Sequence, residues 1–119
     1  MKRKPGTHIL VEMYGCDEKK IDDIFFVKKV FRKAIKESGL KSLKSVFYKF
    51  NPQGITGVAL LTSSHISIHT WPEYRVLFLD IFACDERKKA IKAMEVFLKE
   101  FQPKRYKKKI LSRGYIYQR

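Results

Sequence analysis

From Thr7 to Tyr14 the chain reads THILVEMY, with apolar Ile9, Val11 and Met13 at alternate positions. A two-residue period puts them on one face of a strand, with His8, Leu10, Glu12 and Tyr14 on the other. The period then lengthens. Ile21, Ile24, Phe25, Val27, Phe31, Ala34 and Ile35 recur at helical spacing. Asp17 stands where an N-cap would, and Gly39 where a left-handed C-terminal glycine would. Together they predict one amphipathic helix of about five turns.

Leu43–Phe50 returns to period two, with Val46, Tyr48 and Phe50 on one side. Asn51–Gly54, NPQG, is dense in turn residues. Gly57–Leu61 is a short apolar strand. His65–Trp71 alternates again: His65, Ser67, His69 and Trp71 share one face, Ile66, Ile68 and Thr70 the other. WPEY is a turn. Arg75–Cys84 is a nearly continuous apolar run, which predicts a strand buried on both faces. Asp85 is placed to cap a second helix whose stripe is Ile91, Met94, Leu98 and Phe101, with Pro103 beyond its end. Lys107–Tyr117 reads as a last strand.

The predicted order is β-α-β-β-β-β-α-β. Short turns between successive strands imply a largely antiparallel sheet, and two amphipathic helices cover one face of it. The fold class is therefore α+β, a two-layer sandwich forming one domain over residues 1–119. So short a chain leaves the other sheet face uncovered, and its alternating aromatics point to a partner subunit.

Composition narrows the function. Apolar residues make up 45% of the chain, enough for a core. The net charge is +14, from 26 Lys and Arg against 12 Asp and Glu. A basic surface attracts phosphate. Here, however, the cations run through the whole chain rather than forming one tail, so nucleic acid is not the expected partner. The densest run is KRYKKK, Lys104–Lys109. Met1–Pro5 is basic, but the next apolar run, Ile9–Val11, is too short for a signal peptide, and no stretch approaches a membrane span. A cytoplasmic protein is expected, in which Cys16 and Cys84 stay reduced. Two cysteines without a CxxC, and three histidines, make no credible zinc site.

The chemistry concentrates in TSSHISIHTWPE, Thr62–Glu73. Ser64 stands at the start of a strand, after Thr62 and Ser63. A serine hydroxyl becomes a nucleophile when a base is near and a carbonyl is held close. The nearest carbonyl belongs to Ser63. Attack there moves the chain from nitrogen to oxygen and leaves an ester, uphill unless the peptide is strained or the oxyanion stabilised. β-Elimination and hydrolysis of that ester give a pyruvoyl group at the start of a new chain. His69 is a candidate acid or base. Taken singly, each residue reads better as a solvated turn serine or a hydrogen-bonded strand histidine than as a catalytic group.

The wording of the longer stretch decides between these. SHISIHTWPEY, Ser64–Tyr74, resembles the core of prokaryotic-type S-adenosylmethionine decarboxylase proenzymes. FNPQGITGVALL (Phe50–Leu61) is similar to the segment before that family's cleavage site. LDIFAC (Leu79–Cys84) resembles the strand ending in its catalytic cysteine, and GTHILVEMYGCD (Gly6–Asp17) its first strand.

The resemblance implies self-cleavage between Ser63 and Ser64, with Ser64 becoming the pyruvoyl group and His69 assisting. It implies Cys84 as proton donor, Phe50 stacking the adenine and Glu73 binding the ribose hydroxyls. The pyruvoyl carbonyl would form a Schiff base with S-adenosylmethionine and take up electrons as CO2 leaves, giving the aminopropyl donor for spermidine. No pyridoxal phosphate and no metal is implied, and the assembly implied is a homodimer of processed protomers. Two positions depart from the family: Ser63 replaces a usual glutamate, and Thr56 a usual serine. Two alternatives stand beside this reading. One is a pyruvoyl-dependent arginine decarboxylase of the same family; the other is a non-processing, non-catalytic basic paralogue.

Overall fold

The computed structural model describes residues 2–3, 6–84, 86–114 and 116–117. The strands are β1 (Lys2–Arg3), β2 (Gly6–Tyr14), β3 (Ser42–Lys49), β4 (Ile55–Leu61), β5 (Ser64–Trp71), β6 (Val76–Cys84), β7 (Arg105–Arg113) and β8 (Ile116–Tyr117). The helices are α1 (Glu18–Ile21), α2 (Ile24–Ser38) and α3 (Arg87–Phe101). A single 3-10 turn, Pro72–Tyr74, links β5 to β6.

Six strands form one sheet in the order β3-β4-β5-β6-β2-β7, every pair antiparallel. β1 and β8 pair separately as a two-stranded ribbon. The predicted last strand is thus two: β7 on the sheet edge and β8 in the ribbon.

The helices lie on one face, as the periodicity predicts. Ile9, Val11 and Met13 of β2, Ile66 and Ile68 of β5 and Leu77, Leu79 and Ile81 of β6 are all buried against them. Phe31 of α2 meets Phe97 of α3 edge-on, ring centroids 5.2 Å apart, and Phe47 of β3 at 4.9 Å. Such edge-to-face aromatic pairs lock three elements at one point. The stripe of α3 differs in detail from its sequence reading. Met94 and Phe101 are buried as expected, but Ala90, Ala93 and Phe97 fill the centre, while Ile91 and Leu98 flank it. Asp85 lies outside the described residues. Glu86 occupies the N-cap of α3 without a side-chain capping bond; its Oε1 instead accepts from Lys89 Nζ at 3.1 Å.

Two expectations need correction. The single long helix is broken. Asp17 caps only the four-residue α1, and Asp23 starts α2 afresh, its Oδ1 accepting from the amides of Phe25 (3.0 Å) and Phe26 (3.1 Å). An aspartate that satisfies N-terminal amides in this way competes with helix continuation. Phe25, counted in the apolar stripe, points to solvent as a result. Gly39 does close α2 in the left-handed conformation, at φ 84°. Asp23→Ala is expected to destabilise the protein by about 1 kcal/mol, read as a lower urea midpoint with an unchanged slope.

The second correction concerns β6. Only Leu77, Leu79, Ile81 and Ala83 are buried; Val76, Phe78, Asp80, Phe82 and Cys84 face away from the helices. The run is apolar on both faces, yet this chain covers one. Val46, Tyr48, Val58, Leu60, Trp71, Phe78 and Leu111 are likewise exposed on that open face. No helix among the described residues is long and apolar enough to cross a membrane.

Candidate functional site

Strand pairing decides which residues meet. β5 lies between β4 and β6, with Thr56 of β4 directly opposite His69. Thr56 Oγ1 and His69 Nδ1 are 3.1 Å apart, a hydroxyl–imidazole hydrogen bond. Trp71 stands beside this histidine, ring centroids 6.2 Å apart, and leans on Phe78 at 5.0 Å. The imidazole is therefore held between a polar partner on β4 and an aromatic neighbour on its own strand, which is itself backed by Phe78 of β6.

The turn before β4 and the turn after β5 close a cleft over this pair. Its volume is about 380 Å³, and Phe50, Asn51, Gln53, Thr56, His69, Trp71 and Glu73 are among its walls. That volume is within the range of small-molecule sites. Four residues singled out in the sequence, Phe50, Thr56, His69 and Glu73, thus share one concavity. Phe50 presents an exposed aromatic face, supported edge-on by Tyr48 at 4.8 Å. Glu73 is exposed on the 3-10 turn.

Ser64 and Cys84 are elsewhere. Ser64 is five positions before His69 on β5, roughly 17 Å along an extended strand. It pairs with Ala83, the residue before Cys84. Ser64 and Cys84 therefore sit at the same end of neighbouring strands, the end away from the cleft. Ser64 follows directly on the bend at Thr62–Ser63, and the residue is 7% exposed. Its Oγ has no hydrogen-bond partner among the described residues. A buried hydroxyl left without one costs about 1–3 kcal/mol, and none of the described residues ties this oxygen down. Its residue type, its position at the bend and its unengaged hydroxyl fit a serine to be converted into a pyruvoyl group.

The two thiols have different surroundings. Cys84 is half-buried at the end of β6 on the open sheet face. Cys16 is buried, and that burial pushes its thiol up to about 11. Only about one molecule in a thousand would then carry a thiolate there at pH 8. Iodoacetamide at pH 8 is expected to spare Cys16 in the folded protein and to label it in guanidinium, as peptide mass mapping would show.

Two participants escaped the sequence reading. Trp71 was seen only as one of an alternating face, yet it walls the cleft. Asp22 was counted within a continuous helix, yet its carboxylate accepts from the amide of Gly54, 32 residues away. The doublet Asp22–Asp23 inside an otherwise apolar-periodic stretch was the available signal. Among the described residues no group of three His, Cys, Asp or Glu side chains is arranged to hold a metal.

Known proteins share this architecture. The S-adenosylmethionine decarboxylase family profile matches residues 7–114. An S-adenosylmethionine decarboxylase proenzyme from Sulfurihydrogenibium sp. is 46% identical over 116 residues, covering 98% of this chain and 87% of the relative. One from Persephonella marina is 45% identical, covering 96% and 86%. The crystal structure of the adenosylmethionine decarboxylase from Aquifex aeolicus superposes with a TM-score of 0.94 at 38% identity, covering 98% of this chain and 97% of that one. With profile, sequence and fold agreeing over nearly the whole length, the chain belongs to the S-adenosylmethionine decarboxylase family, in its prokaryotic class.

Proposed function

We propose that the chain cuts itself between Ser63 and Ser64 and then decarboxylates S-adenosylmethionine at sites shared by two protomers. Support for the shared site comes from the separation just described. Ser64 and Cys84 occupy one end of β5 and β6, while Phe50, Thr56, His69 and Glu73 line a cleft at the other. Within one protomer these sets are too far apart to touch one small molecule. The open sheet face between them carries Val46, Val58, Leu60 and Phe78, an apolar patch of the kind that marks an interface. A twofold partner laid on that face brings the cleft of one protomer to the Ser64 end of the other. Each assembly would then hold two composite sites.

Processing starts at Ser64. Its Oγ attacks the Ser63 carbonyl carbon, the peptide C–N bond breaks, and the hydroxyl proton ends on the departing nitrogen. Loss of the Ser64 α-proton expels the Ser63 carboxylate and leaves dehydroalanine. Water then replaces the nitrogen, releasing ammonia. In this reading the Thr56–His69 pair of the facing protomer serves as base and hydrogen-bond donor for these steps, the hydroxyl and imidazole already being hydrogen-bonded to each other. Ser63 contributes its carbonyl, so the absence of a glutamate side chain there removes no reacting atom.

The resulting pyruvoyl carbonyl supplies the electron-withdrawing group that a decarboxylase needs at the substrate's α-carbon. Cys84 returns a proton to that carbon after CO2 departs. The Phe50 ring stacks the adenine, and the Glu73 carboxylate accepts hydrogen bonds from the ribose hydroxyls. Two free thiols, Cys16 and Cys84, are in keeping with action in the reducing cytoplasm.

Intact mass of purified protein tests the reading. The expected result is two chains, residues 1–63 and 64–119, the second blocked to Edman sequencing. They should co-sediment as a dimer of processed protomers and release labelled CO2 from S-adenosylmethionine but not from arginine. A permanently uncut monomer would overturn it.

A further inference from the structure

We propose that Asp22 is a positioning residue for the nucleoside half of the substrate site: its carboxylate clamps the turn that carries Phe50. This rests on the reading of Phe50 as the adenine wall. The turn from Phe50 to Gly54 supplies much of the cleft lining, including Phe50, Asn51, Gln53 and Gly54. It has few anchors of its own. One is internal, from the Phe50 amide to the Gly54 carbonyl at 2.8 Å. The strand after it is tied by the Ile55 amide donating to Thr70 Oγ1 at 3.0 Å.

The remaining anchors run through Asp22. Its Oδ1 accepts from the Gly54 amide at 2.8 Å and pairs with Lys49 Nζ at 2.9 Å. Lys49 Nζ in turn donates to the Phe50 carbonyl at 3.3 Å. One carboxylate therefore holds both ends of the turn, directly at Gly54 and through Lys49 at Phe50. Gly54 is buried, at φ 106°, and a side chain there would press the Thr70 carbonyl at 3.3 Å, so no bulkier residue could brace the turn from within. The helix break explains why this oxygen is available. Asp23 caps α2 with its side chain, whereas Asp22 closes α1 through its backbone amide alone, and its carboxylate goes to the Gly54 amide. Hydrogen bonds to a charged acceptor are about twice as strong as neutral ones, so this contact sets the position of the turn rather than merely decorating it.

A positioning role differs from a structural one in what it moves. Asp22→Ala is expected to raise KM for S-adenosylmethionine about tenfold while kcat falls less than about threefold, because only the nucleoside wall loosens. Asp22→Asn keeps an oxygen for the Gly54 amide and should recover most of that loss. Asp22→Glu keeps the charge but is one methylene too long for the turn. It should still raise KM about threefold with the melting temperature unchanged, and it keeps the test decisive if the alanine variant does not fold. Wild-type KM in Asp22→Ala, or in Asp22→Glu where the alanine variant does not fold, or a loss confined to kcat, overturns the inference. Phe50→Ala run in parallel separates this from failure of the underlying reading. If Phe50→Ala raises KM and the Asp22 variants do not, the clamp is wrong; if Phe50→Ala leaves KM unchanged, the adenine wall is wrong.

Discussion

Ser64→Ala is expected to leave the protein as one uncut 14.1 kDa chain with no detectable decarboxylation. The loss should be complete rather than graded. Other residues at the site position or assist, and removing them costs powers of ten. Ser64 alone supplies the atoms from which the reactive carbonyl is made, so without its hydroxyl the peptide nitrogen has no oxygen to exchange with. The fold should tolerate the change. Ser64 Oγ is buried and makes no hydrogen bond among the described residues, so its removal leaves none of them without a partner and relieves an unpaired hydroxyl. Melting temperature should be unchanged or slightly raised relative to unprocessed wild-type chain. Denaturing gels and intact mass read the cleavage, and hydrazine labelling reads the carbonyl. Cleavage in Ser64→Ala would sink the assignment outright. Ser64→Cys offers a graded companion: a thiol attacks the same carbonyl, so slow cleavage is expected there.

The same region shows what the amino-acid sequence reveals and what it hides. The alternation of His65–Trp71 was legible because β5 buries one face only: Ile66, Ile68 and Thr70 are buried, while His65, His69 and Trp71 are exposed. β6 misled for the complementary reason. Its outward residues include Phe78 and Phe82, so the string VLFLDIFAC looks buried on both sides. Hydrophobicity reports that a face wants cover. It does not report whether this chain or another provides it.

The helix break illustrates a second limit. Ile21 and Ile24 both fit a 3.6-residue period, so periodicity runs straight through Asp22 and Asp23. Local hydrogen bonding from the Asp23 side chain outweighs it. Candidate residues were legible one by one, because the resemblance identifies types and positions along the chain. Their grouping was not. That Thr56 meets His69 depends on the β4–β5 register, and that Cys84 joins the Ser64 end depends on the β5–β6 register. The basic excess also acquires a structural role. β7 is an exposed sheet edge bearing Arg105, Lys107, Lys108, Lys109 and Arg113, and charge on an edge strand deters pairing with stray chains.

Cys84→Ala separates making the enzyme from using it. Cys84 lies at the end of β6, half-buried, opposite Gly6 of β2. It is beside the Ser64 end of β5, because Ser64 pairs with the preceding Ala83. In the mechanism above the thiol acts only after CO2 has left, so it contributes nothing to rearrangement of the Ser63–Ser64 peptide. Cleavage in Cys84→Ala is therefore expected within a few-fold of wild type. Turnover should instead fall by about 10²- to 10³-fold, the usual worth of one positioned proton donor. KM should change little, since the thiol touches neither the adenine nor the ribose. Cys84→Ser retains an O–H in the same place, a much weaker acid than the thiol, and should fall between the two. The readouts are independent: chain masses for processing, and labelled CO2 release for turnover of the fully cleaved fraction. Normal turnover in Cys84→Ala would move the proton to another donor on the open face. His8 of the neighbouring β2 would be the first to test, because its ring is partly buried and its Nε2 has no hydrogen-bond partner among the described residues.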